Sequence, residues 1–241
     1  MATAEASGYS RENAERFGWH SVGGELAPHR VQLLDRCVVG PSVLDAGCGG
    51  GGYVDYLARK GLDAVGADKH PTFLGVARER GFLGKFVEAD LTERLPFADK
   101  AFDTTYCFDV LEHVDDRAAV RELARVTRRR LILTVPQEDR WMQRHGLRFF
   151  TYQDPTHLRY YTPESLCELA AGTNPAKVEI TGECPVHLRQ IARTMLQPAS
   201  KYPLLTRLYR RAFEFLLFRA AEPEIFVNLV AVIDLTPEAN G

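Results

Sequence analysis

Long apolar runs are missing from this chain: no stretch of about 18 apolar residues occurs, so no segment reads as a membrane-spanning helix. The opening residues, MATAEASG, are small and polar, without the basic start and apolar centre of a secretory leader. Cysteine is scarce and odd in number. Cys37, Cys48, Cys107, Cys167 and Cys184 are widely spaced, with no C-x-x-C pair. That spacing argues against a disulfide framework or a cysteine zinc site, and with the plain opening it predicts a reducing, cytoplasmic setting. An excess of either charge is absent too. Thirty basic and 32 acidic residues leave a formal net charge of −2, so no overall basic field draws nucleic acid.

What is there is ordinary globular material: 241 residues, 45% hydrophobic and 26% charged, enough for one full core. Two helical patterns are expected between Ser10 and Cys37, with Leu26, Val31, Leu33 and Leu34 as apolar positions. The rhythm then alternates. SVLDA, DAVGAD, KFVEAD, FDTTYCF and RLILTV read as strands, and YVDYLARKG, PTFLGVARERG and RAAVRELARVTR read as the helices between them. Strands alternating with helices of this length predict right-handed βαβ crossovers and a parallel sheet. Past Pro136 comes a long aromatic loop, then the helix TPESLCELAAG, with Thr162 as cap and Pro163 in its first turn. KVEITGE and IFVNLVAVIDL read as two late strands, with a helical stretch between them.

The run VLDAGCGGGG, residues 43–52, has the glycine density of a backbone that passes close to a ligand. Two readings compete. Gly47-x-Gly49-x-x-Gly52 matches a dinucleotide fingerprint, and Asp45-x-Gly47-x-Gly49-x-Gly51 matches the nucleotide loop of enzymes that use S-adenosylmethionine (SAM). A P-loop is ruled out, because no G-x-x-x-x-G-K-[ST] follows. Asp45 separates the two readings. A carboxylate there would repel a pyrophosphate but suits SAM, whose amino group and sulfonium are cationic. Asp68 ends the second strand and can accept from ribose hydroxyls of either ligand. Asp90, ending the third, can accept from an adenine amine.

These segments, together with GADK, FVEADLTERLPFADKAFDTTYCFDVLEHVDD, RLILTVP and DPTHLRYYTPESL, resemble the class I SAM-dependent methyltransferases, and within them the small-molecule enzymes of the ubiquinone/menaquinone type. The resemblance covers roughly residues 26–172. It implies a doubly wound, mostly parallel seven-stranded Rossmann-like sheet. Residues 1–37 would form an N-terminal helical cap and 38–241 the SAM-binding domain, with a helical insert at about 187–221. It also implies that Asp45, Gly47 and Gly49 lie under the methionine part of SAM. Asp68 would take the ribose with Lys69 beside it, Asp90 and the Leu91 backbone would read the adenine, and the backbone near Phe108 would face the amino group. The Pro-Gly-Gly turn usual before the fifth strand is replaced by Thr127–Arg130, expected as a turn at the edge away from the site.

The resemblance names no acceptor. His113, in VLEHV, and His157, in DPTHLRYYT, are the candidate general bases, since a hydroxyl nucleophile must lose a proton. Transfer to oxygen of a small molecule is the expectation, with transfer to nitrogen or carbon, a SAM-binding regulator and a dinucleotide oxidoreductase as alternatives. No metal is expected. Asp109, Glu112 and His113 can be drawn as ligands, with Glu138 and Asp139 further on, but the Asp-Asn pair of the catechol-type metal-dependent relatives is missing. Tyr9, Trp19 and His20 before the core, and Trp141 and Tyr161 beyond the fifth strand, are the candidate substrate contacts. Nucleic acid is not expected as a substrate, because FDVLEHV stands where base methylases carry Asn-Pro-Pro-Tyr. Between His187 and Ala221 seven basic residues face one acid, Glu214, on an apolar-striped helix. That pattern suits a peripheral membrane contact or an anionic substrate. The oligomeric state is not legible.

Overall fold

A computed structural model describes residues 20–138, 154–187 and 225–237, with single helical positions at 140, 144, 204, 207, 208, 211, 212 and 215. Its centre is a seven-stranded sheet in the order β3-β2-β1-β4-β5-β7-β6. The strands are β1 (Ser42–Ala46), β2 (Asp63–Asp68), β3 (Lys85–Glu88), β4 (Phe102–Phe108), β5 (Thr127–Pro136), β6 (Pro175–Pro185) and β7 (Phe226–Leu235). Leu44 pairs with Val65 on one side and Thr105 on the other, both in parallel register. β7 alone runs antiparallel, placing Ile233 opposite Leu131 and Val178. The α-helices bounded within the described residues are α1 (Pro28–Cys37), α2 (Gly52–Arg59), α3 (Pro71–Glu79), α4 (Asp116–Val126) and α5 (Pro163–Ala171). The doubly wound, mostly parallel expectation describes this sheet.

The period of two along each strand sends alternate residues to two apolar layers. In β5, Leu131, Leu133 and Val135 join Leu123 of α4 and Leu166 of α5, while Ile132 joins the opposite layer. That layer is built from Leu33 and Leu34 of α1, Val54 and Leu57 of α2, and Leu74 of α3. Helix α1 is therefore part of that wall. Leu26, expected as an apolar helical position, precedes α1 and is exposed.

The other departure is Thr127–Arg130, which is strand rather than turn. Helix α4 passes straight into β5. The Thr127 backbone N–H donates to the Leu123 carbonyl, and the Thr127 hydroxyl lies 2.6 Å from the same oxygen. Arg128 meets Asp103 at 3.1 Å and Arg130 meets Asp234 at 2.7 Å, so the arginines pair across neighbouring strands.

Candidate active site

The strand order reverses between β1 and β4, and in an open α/β sheet the crevice beyond those carboxyl ends is where ligands bind. A cavity of about 360 Å³ lies there, within the size range of small-ligand sites. Gly47, Gly49, Asp68, Lys69, Asp90, Leu91 and Phe108 line it. Asp45 is buried at the end of β1. Seven of the eight predicted cofactor residues are thus brought to the cavity, and Asp45 lies buried next to its glycine turn without lining it.

The glycine run divides by function. Gly47 has φ +85°, and a Cβ on it would strike Val110 at 2.4 Å, so the turn out of β1 admits glycine alone. Gly50 and Gly52 serve the chain instead. A Cβ on Gly50 would sit 2.4 Å from the Val22 carbonyl oxygen, and one on Gly52 would sit 2.3 Å from that of Gly24. The segment before α1 crosses directly over them. Gly52, the third glycine of the dinucleotide reading, is therefore occupied by protein backbone.

Three carboxylates shape the cofactor end. Burial, with the Asp68 charge nearby, pushes Asp45 up to about 8. Asp68 accepts from the Gly49 backbone N–H at 2.9 Å and from that of His70 at 2.8 Å. These two donors fix the plane of the carboxylate, and each oxygen keeps a further lone pair for a ligand hydroxyl. Asp90 accepts from both the backbone N–H and the hydroxyl of Thr92, at 2.9 and 2.7 Å. A buried carboxylate that lacks a cation beside a glycine turn, followed by two oriented carboxylates, fits the cationic methionine part, the ribose and the adenine of SAM in that order.

The rest of the cavity lining comes from distant segments. Arg30 of α1 is 4% exposed. Its guanidinium bonds Asp109 at 2.9 and 3.2 Å, Glu183 of β6 at 2.8 Å and the Thr134 hydroxyl, with the Phe108 ring 4.8 Å away. Asp109 sits just past β4 with φ +54°, a conformation that is costly for a residue with a side chain. Sequence reasoning missed Arg30 and Glu183. The one available signal was an arginine among the apolar positions of α1.

His113 and His157 meet edge to face, with ring centroids 4.7 Å apart. The loop carrying His157 is tied down by the Leu158 N–H to the Glu112 carbonyl (2.8 Å) and by Arg159 to the Leu111 carbonyl (2.9 Å). Burial and the neighbouring His157 push His113 down to about 4, and burial lowers His157 as well, so both imidazoles are neutral. Glu112 is 1% exposed, and burial with the nearby Asp109 charge raises its carboxyl well above the usual range.

The substrate expectations fare unevenly. Tyr161 is not at the cavity: it is 3% exposed in the core, and its hydroxyl donates to Asp116 at 2.8 Å, also lying 3.2 Å from the Leu111 carbonyl. Its bulk and its buried acceptors hold it there. Tyr9, Trp19 and Trp141 lie outside the described residues, as does most of the insert at 187–221. His20 opens a short 3-10 turn, His20–Gly23.

A family model described as a methyltransferase domain matches residues 44–133. A ubiquinone biosynthesis O-methyltransferase of Aeromonas salmonicida is 30% identical over 179 residues, covering 64% of this chain and 75% of the relative. Among solved structures, a SAM-dependent methyltransferase from Archaeoglobus fulgidus superposes with a TM-score of 0.58 at 18% identity, covering 93% of this chain and 94% of that one. A phosphoethanolamine N-methyltransferase 2 of Haemonchus contortus superposes with a TM-score of 0.64 at 17% identity, covering 97% of this chain and 59% of that one.

Proposed function

Because the chain belongs to the class I SAM-dependent methyltransferases, we propose that it moves the methyl group of SAM to an oxygen of a small-molecule acceptor. The observation that carries the choice of oxygen is the edge-to-face histidine pair that lines the same cavity as Asp68 and Asp90. The acceptor oxygen attacks the methyl carbon in line with the C–S bond. That bond's electron pair passes to sulfur, giving S-adenosylhomocysteine, and the acceptor's proton is lost at the histidine cluster. An oxygen nucleophile needs that proton removed, and two uncharged imidazoles are suited to assist it. The name of the Aeromonas relative, an O-methyltransferase of ubiquinone biosynthesis, supports the same choice. Asp45 faces the cationic part of SAM, Asp68 with Lys69 the ribose, and Asp90 with the Leu91 backbone the adenine.

We assign the enzyme to the cytoplasm. Among the described residues no helix is long and apolar enough to cross a membrane. We assign the basic insert to contact with an anionic surface, since exposed Arg207 and Arg211 stand among the exposed apolar positions Leu204, Leu208 and Phe215. Calorimetric titration with SAM, S-adenosylhomocysteine and NADH, followed by radiolabelled methyl transfer to phenol, sugar and amine panels, tests the reading. Binding of the first two ligands alone, with label on hydroxyl acceptors, is expected. Label on amines only would replace oxygen by nitrogen.

A further inference from the structure

We propose that His29, Glu183 and Cys184 bind a divalent ion of the zinc class at the rim of the cavity, where α1 meets β6. An imidazole nitrogen, a carboxylate oxygen and the thiol sulfur lie within 4.8 Å of one another. His29 Nε2 stands 3.9 Å from Glu183 Oε2. A tetrahedral zinc ion holds nitrogen, oxygen and sulfur ligands about 3.4–3.7 Å apart, so inward movements of about 1 Å complete the site. The members that move are the accessible ones: the His29 side chain is 45% exposed and Cys184 is half-buried. Buried Glu183 is the fixed member.

The backbone brings these groups together. Successive residues of a strand point to opposite faces, so Glu183 and Cys184 near the end of β6 should diverge. Cys184 instead has φ +55°, a left-handed conformation that is costly for a residue with a side chain. It stands between Glu183, paired with Asn228, and Pro185, paired with Phe226. The left-handed residue breaks the alternation, and the sulfur stays beside the neighbouring carboxylate. His29 arrives from the first turn of α1, which Pro28 opens. His29 and Cys184 both line the cavity. No spacing in the sequence announces the group, since α1 and β6 meet only in the folded chain.

Charge favours the ion. Arg30 lies 2.8 Å from Glu183, but it also bonds Asp109 at 2.9 and 3.2 Å. One positive charge therefore faces two carboxylates. An ionised Cys184 brings the local excess to two negatives, which a divalent ion neutralises. Burial, with Asp109 nearby, raises both the Glu183 carboxyl and the Cys184 thiol, and a bound cation reverses both effects. Burial and the Arg30 charge lower His29, so its imidazole is neutral and offers a lone pair. Arg30 then supports the ligand carboxylate from outside, as hydrogen-bonding partners of metal-bound carboxylates do. A thiolate with an imidazole selects zinc or cobalt over magnesium or calcium. The bound ion ties α1 to β6 and stiffens the rim. Its binding does not rest on the methyl-transfer reading.

The test uses reduced, chelator-treated full-length protein. Co2+ is titrated while absorption is followed, and Zn2+ is then added in competition. A saturable thiolate-to-cobalt charge-transfer band in the near ultraviolet is expected, abolished by Zn2+, with a higher melting temperature in the loaded protein. A cation held by groups without sulfur gives no such band. Cys184→Ser should abolish it. His29→Ala and Glu183→Gln should each weaken Co2+ binding by at least about tenfold. Cys167→Ser, at the exposed cysteine of α5, should leave the band unchanged. Circular dichroism establishes that each variant is folded. Glu183→Gln keeps an acceptor for Arg30, and if it still fails to fold, His29→Ala decides. Absence of a band, or a band that survives Cys184→Ser, overturns the proposal. Unchanged affinity in His29→Ala also overturns it, by reducing the site to a thiol acting without the imidazole.

Discussion

Asp45 provides a quantitative test of what the glycine turn holds. Burial places its carboxyl at about 8, against an ordinary value of 3.8. Below about pH 8 the ligand-free protein therefore keeps a proton there that a cationic ligand must displace. SAM brings two positive charges and favours the ionised carboxylate, so binding releases a proton and tightens as pH rises. Between about pH 6 and pH 7.5 the affinity should rise by up to about tenfold per pH unit, since one unit is about 1.4 kcal/mol. Calorimetry in buffers of different ionisation enthalpy measures the proton count directly, with release approaching one per SAM at the acid end. Asp45→Asn should weaken binding at neutral pH and flatten its pH dependence. The same raised value has a converse effect on folding without ligand. The protonated carboxyl contributes stability that is fully present below about pH 4 and is lost as pH rises through about 8. Wild type should therefore lose stability relative to Asp45→Asn over that window. SAM affinity that is flat with pH, with no proton released and no change in Asp45→Asn, would refute a cationic ligand at Asp45.

Arg30→Met should destabilise the fold by about 3–5 kcal/mol in urea titration, because it leaves buried Glu183 without its cation. Gly52→Ala forces a methyl against the Gly24 carbonyl oxygen and should cost about 1–3 kcal/mol, read as a lower melting temperature; an unchanged melt would mean that the overlying segment shifts freely. Tyr161→Phe should leave acceptor KM unchanged while lowering stability by about 1 kcal/mol, the worth of its buried hydrogen bond. Co-sedimentation with anionic vesicles at low salt, lost at high salt and in Arg207→Glu with Arg211→Glu, is the outcome expected of the basic insert. Equal pelleting with neutral vesicles would refute an electrostatic contact.

Local pattern alone located the sheet. SVLDA, DAVGAD and FDTTYCF are β1, β2 and β4 to the residue, because buried parallel strands are short apolar runs bounded by breakers. The cofactor end was legible for the same reason. Asp45 and Asp68 lie at the carboxyl ends of β1 and β2, and Asp90 just beyond β3; those ends must share one edge once the sheet is parallel, so their positions along the chain predict their proximity. The TRRR segment was misread because arginines look like loop until the acids across the sheet, Asp103 and Asp234, are in place. Tyr161 was misread because an aromatic in a loop gives no sign of whether its hydroxyl faces a ligand or Asp116. Beyond the carboxylates the sequence singled out His113 and His157 one by one, but not their contacts, and it gave no sign of Arg30 or Glu183. Arg30 meets Asp109 and Glu183, and Glu112 and His113 meet His157, only after α1, β4, β6 and the loop before α5 converge. The sequence by itself determined which strands form and which carboxylates end them, since both follow from local periodicity. Tertiary packing alone decided which charges and imidazoles meet around the cavity, because those contacts join residues with no periodic relation along the chain.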